Sequence, residues 1–151
     1  MADDELTERQ QRALAVRLFN ETWHRLEATP PDPQALQTAM ASRLHWDGIG
    51  ETEQLAVGDW LIAHVASRLG YSNLALDYAS TAHERAVSGQ VPLWLVASVQ
   101  EGMSRAHAAA GHDEERDRWA ADARQTLAAV EDDEDRELIE GQLASIPGLT
   151  P

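Results

Sequence analysis

Apolar residues recur at spacings of three and four in segment after segment of this chain, and no stretch alternates as a half-buried strand would. The spacing predicts a first helix over 5–28, in which Ala15, Val16, Leu18, Phe19, Thr22, Trp23 and Leu26 share an arc roughly 160° wide. The run TPPDP at 29–33 stops it, because proline lacks an amide proton and clashes with the preceding turn. A second helix is expected over 33–46, ended by DGIG at 47–50. A third follows Gly50, carries Leu55, Ile62, Val65, Ala66 and Leu69 on one face, and stops at Gly70. Ser72 is placed to cap a fourth helix that reaches Ser88. Beyond SGQVP at 88–92 comes a fifth helix over 92–110, ended by Gly111, and then a sixth over 113–130. The acids of EDDED favour a short seventh helix over 132–145, since carboxylates are stabilised at the positive end of the helix dipole. The expectation is one all-α domain over 1–151, built from antiparallel hairpins 5–48, 51–88 and 92–130, as a stacked solenoid or a compact bundle.

Two of these hairpins echo each other. Gly70 and Gly111 both end a helix, and at the same offset Ile62 matches Met103, Tyr78 matches Trp119 and Ala82 matches Ala123. The pattern of Ala63, Gly70, Ala75, Tyr78 and Ala82 resembles tetratricopeptide repeats, over roughly residues 51–130 with a divergent first hairpin at 5–48. The chain departs from that pattern at Ala66, where an aromatic is usual, and at Arg116, where alanine is usual. Its unit is also longer than the common repeat of about 34 residues. The resemblance implies a right-handed stack of hairpins whose concave groove holds a peptide. NETW, ASRLHW and GDW together also resemble an uncharacterised group of bacterial helical proteins. That likeness implies a histidine near Met40, which is missing here, and carries no activity to transfer.

Composition narrows the partners. The net charge is −14, and all twelve basic residues are arginine. A chain this acidic is expected to avoid nucleic acid and anionic membrane, both of which need a cationic surface. The acids gather at 2–5, at 112–117 and at 131–137. There is no cysteine, so disulfides and thiolate metal sites are excluded. The start of the chain has no apolar run of the signal-peptide kind, and a cytoplasmic protein is expected. Five of the eight aromatic residues are tryptophan.

Candidate chemistry concentrates on the third helix. Val57, Trp60, His64 and Arg68 form a second stripe, roughly 150 to 180° from the apolar one. The equivalent stripe of the fifth helix is Ser98, Glu101 and Arg105. The resemblance implies that His64, Arg68 and Arg105 face one groove with Trp60 as its apolar wall, and guanidinium forks suit a ligand carboxylate. The alternative is that the third helix packs on both sides, making Trp60 core and Arg68 the partner of an acid. In the first hairpin either Phe19, Trp23 and Glu27 or Arg17, Glu21 and Arg25 would face the groove. The second set is favoured, because Trp23 belongs to the apolar arc.

The leading expectation is therefore a binding module for a peptide or protein partner, with no cofactor or metal. A different reading is a small helical enzyme or small-molecule protein whose pocket uses His45, Trp46, Trp60 and His64. A homo-oligomeric structural protein is a third. Metal sites have thin support. Glu21 and His24 form one E-x-x-H pair where di-iron bundles need two, and His24, His45 and His64 could meet only if their helices converged. His107 falls at an aromatic core position of its hairpin. No G-x-S-x-G elbow, phosphate loop or EF-hand pattern is present.

Overall fold

The computed structural model describes residues 5–150, so the acidic run at 2–5 lies outside the described residues except for Glu5. The described residues form seven α-helices and no strand: α1 Glu8–Leu26, α2 Ala35–Trp46, α3 Thr52–Leu69, α4 Ser72–Ser88, α5 Leu93–Ala109, α6 Asp113–Leu127 and α7 Asp133–Ala144. Sequence neighbours pack on one another, and α3 also packs against α5 and α5 against α7. This order fits a stack of hairpins or a bundle.

Polar contacts fix the direction within the first and third hairpins. Thr22 Oγ1 meets Thr38 Oγ1 at 2.8 Å and Ser42 Oγ donates to the Ala15 carbonyl at 2.7 Å, so α1 and α2 run antiparallel. In α5 and α6, Ser104 Oγ donates to the Arg116 carbonyl and Thr126 Oγ1 to Gln100 Oε1, again in opposite directions. Asp59 ties three helices together. It is 2% exposed and accepts from Arg43 Nε of α2 at 2.9 Å and from Arg85 Nε of α4 at 2.7 Å. Two guanidinium groups offset what burying a lone carboxylate would cost.

The glycine breaks act as expected. Gly70 and Gly111 adopt φ of +82° and +75°, the left-handed conformation that an L side chain resists. At both ends the following amide reaches back five residues, Tyr71 to the Ala66 carbonyl and His112 to the His107 carbonyl, each at 2.9 Å. This is the Schellman arrangement, which satisfies carbonyls that a helix end would leave free. The echo seen in the sequence is thus present in backbone hydrogen bonding.

Several boundaries differ from expectation. Ser72 is the first residue of α4 and makes no capping bond; Tyr71 holds the cap position. Thr7 closes α1 with a capping box to Gln10, and the Asp132 side chain caps α7 by accepting from the Asp135 amide. His107 is half-buried rather than core, and its Nδ1 lies 3.1 Å from His112 Nδ1.

Candidate functional site

Trp60 and His64 of the second stripe of α3 are buried. Every residue from Gly58 to Ala66 is excluded from solvent, so α3 packs on both faces. Trp60 is 6% exposed and His64 4% exposed. Arg68, one turn further on, is exposed.

Trp60 begins a hydrogen-bonded chain that runs through Glu101 and Arg105. Its indole Nε1 donates to Glu101 Oε2 at 3.0 Å, and Glu101 Oε1 accepts from Arg105 Nε at 2.8 Å. Arg105 Nη2 then donates to the Gln142 carbonyl at 2.7 Å and to Ser145 Oγ at 2.8 Å. Glu101 is wholly buried, and a buried carboxylate is tolerable only when paired and hydrogen-bonded. Gly102 makes room for the indole: a Cβ there would lie 2.8 Å from Trp60 Cδ1.

These bonds correct the groove geometry. The resemblance implies that Arg105 faces a groove beside Trp60, open to a ligand. Arg105 is 4% exposed instead, neutralised by Glu101 and covered by the C-terminal end of α7. Glu101 likewise faces Trp60 and Arg105 rather than a ligand. The seventh helix occupies space that a three-hairpin stack would leave open, a role its short acidic sequence does not announce.

An apolar recess of about 400 Å³ remains beside Trp60. Phe19 and Trp23 of α1, Val57 and Trp60 of α3, and Trp94, Leu95 and Ser98 of α5 form its walls, and α7 closes it with Leu138, Ile139, Gln142 and Asp135. The first hairpin therefore presents Phe19 and Trp23, not the favoured set of Arg17, Glu21 and Arg25. Arg25 turns instead to Glu21 and Asp32. The apolar arc of α1 is wide enough to pack on α2 and still give Trp23 to Trp60, with ring centroids 5.9 Å apart.

His45 and Trp46 do not join Trp60 and His64. Trp46, with Arg12 stacked 5.1 Å above its ring, lines a neighbouring depression of about 210 Å³ with Val16, Glu53 and Gln54. Phe19 and Val57 line both spaces, so the two recesses adjoin across these side chains as an apolar trough from Trp46 to Leu138. A recess of about 420 Å³ between α6 and α7 contains no aromatic residue.

His64 lies against Trp23 and Trp60, at centroid distances of 5.1 and 5.6 Å, and its Nδ1 has no hydrogen-bond partner. Burial, then Arg105 and Arg68, hold its pKa well below the ordinary histidine value. The folded protein thus binds fewer protons here than the unfolded chain below pH about 6.5. This contribution to stability is complete above that pH and is lost as the pH falls, at up to about 1.4 kcal/mol per unit. His83 and His107, also lowered chiefly by burial, act in the same direction. Urea denaturation at pH 7.5, 6.5 and 5.5 is expected to show this decline, and His64→Leu is expected to flatten it. An unchanged slope in the variant would contradict the assignment.

Among the described residues no three histidine or acidic side chains converge in a geometry that could hold a metal. His24 is exposed beside Glu27, away from His45 and His64. No described helix is long and apolar enough to cross a membrane. Comparison of the chain with protein-family models, curated proteins and solved structures finds no match.

Proposed function

We propose that this protein is a tetratricopeptide-like binding module whose tryptophan-walled trough takes the apolar face of a peptide or protein segment. The observation that carries this reading is that two apolar recesses adjoin across Phe19 and Val57. The main recess alone has the volume of a small-molecule pocket. The second recess beyond Phe19 and Val57, at Trp46, makes the lined surface elongated, which suits successive side chains of one chain better than one compact molecule. Helical segments enter such grooves with anchors at i, i+3, i+4 and i+7.

Charge indicates the partner's character. Asp135 and Glu53 stand at the two recesses, the exposed start of α7 carries Asp133 and Glu134, and the whole chain has a net charge of −14. A cationic amphipathic segment is the complement, drawn in by the acidic field and seated by apolar side chains.

Calorimetric titration with a leucine–lysine peptide whose leucines fall at i, i+3, i+4 and i+7 tests the reading. The patterned peptide is expected to bind and a scrambled peptide of the same composition is not. Leu138, 62% exposed at the trough, and Leu44, 67% exposed on α2, provide matched variants. Leu138→Ser is expected to weaken binding about tenfold, the effect of losing roughly 1.5 kcal/mol of apolar burial. Leu44→Ser should change it less than about twofold, as for a remote surface position. Equal binding of the two peptides, or equal losses in the two variants, would overturn the proposal.

A further inference from the structure

Beyond the trough, a separate recess of about 310 Å³ lies beside the end of α7. Among the described residues, Arg68 and Arg105 are the only charged ones lining it, with Ser67, Ser145, Pro31 and Pro147 around them. A recess lined by two cations and no acid is unexpected in a chain with 26 acidic residues and 12 basic ones. Arg68 has no ion-pair partner among the described residues. Partial burial, and then the neighbouring Arg105 cation, make Arg68 less basic than an ordinary arginine.

Arg105 is already positioned. Glu101 holds its Nε, and the Gln142 carbonyl and Ser145 Oγ hold its Nη2. Its remaining terminal nitrogen, Nη1, makes no hydrogen bond to the described residues. The side chain is 4% exposed, so its orientation is set by packing before any ligand arrives.

We propose that this recess binds a carboxylate, held between the guanidinium groups of Arg68 and Arg105 with the hydroxyls of Ser67 and Ser145 as neutral partners. Charge balance selects the ligand class. Glu101 cancels Arg105, so Arg68 leaves the recess one positive charge in excess. A monoanion closes that balance, whereas a phosphate dianion would bring surplus negative charge into an acidic protein. Planar, forked donors also match the two oxygens of a carboxylate. The ligand's carboxyl group can belong to a free small acid or to the end of a peptide chain.

Arginine side-chain NMR with acetate as probe tests this, with sodium chloride at matched ionic strength as the reference. Acetate is expected to shift the Arg68 and Arg105 Nε–Hε signals saturably, and to shift the Trp60 indole through Glu101, while chloride does not. Arg68→Gln should weaken acetate binding about tenfold or more, as for loss of a charge-assisted hydrogen bond, and Arg68→Lys should restore part of it. A neutral peptide with a free C-terminal carboxyl, compared with its C-terminal amide, identifies the source. Tighter binding of the peptide acid than of acetate supports a chain end, and equal binding supports a free acid. Non-saturating shifts, chloride reproducing the acetate shifts, or an amide that binds as well as the acid would overturn the proposal. The wild-type comparison with chloride needs no variant, and none of these measurements involves the leucine–lysine peptide.

Discussion

Replacing Arg105 with alanine is expected to lower the free energy of unfolding by about 3 to 5 kcal/mol, the loss seen when one partner of a buried ion pair is removed. Glu101 is wholly buried and, among the described residues, its side chain receives hydrogen bonds only from Trp60 and Arg105. Without the guanidinium its charge has no counterpart in a medium that solvates ions poorly. The same change frees the Gln142 carbonyl and Ser145 Oγ at the end of α7. Urea denaturation followed by tryptophan emission gives the value. The double variant Glu101→Gln with Arg105→Met, which removes both charges, should be less destabilised than Arg105→Ala alone. A loss below about 1 kcal/mol, the size of an exposed ion pair, would contradict this account of Arg105.

Ile62→Ala is expected to cost about 2 to 5 kcal/mol, the usual range for emptying a core position of this size. Ile62 is 1% exposed and belongs to the main core with Leu61, Val65, Leu95 and Val99. The cost combines lost apolar burial with a cavity that rigid neighbouring helices can only partly close. The same denaturation experiment measures it. A change within experimental error would show that the core face of α3 lies elsewhere.

Helix periodicity and glycine stops were legible because they are local. Gly70 and Gly111 end helices through backbone geometry that depends on a few adjacent residues. The offset between the echoing hairpins also had a physical counterpart: Trp60 and Glu101, 41 positions apart, touch across α3 and α5. The three motif segments meet as well, since Trp23 of NETW packs on Trp60 of GDW, and Arg43 of ASRLHW pairs with Asp59 of GDW.

What escaped depends on the seventh helix. Nothing in EDDEDRELIE says that its apolar side will close on α5, yet Ile139 and Leu143 bury there, and Gln142 and Ser145 take up Arg105. That docking divides the expected groove into an apolar trough and a cationic recess. The register of α1 was misjudged for a related reason. A wide apolar arc can serve two neighbours, and the wheel alone does not tell which edge meets the third helix. A signal was present in the pairing of Phe19 with Trp23, two large aromatics one turn apart, now 6.4 Å between ring centroids.

The five indole N–H signals offer the most direct test of the trough. Trp23, Trp60 and Trp94 line its main recess and Trp46 its extension, whereas Trp119 packs on His83 away from it. Titration with the patterned leucine–lysine peptide, followed by proton–nitrogen correlation NMR, is predicted to shift the indoles of Trp23, Trp46, Trp60 and Trp94 and to leave Trp119 in place. Uniform shifts in all five, a response confined to Trp119, or no response at all would contradict the assignment of the trough as the binding surface.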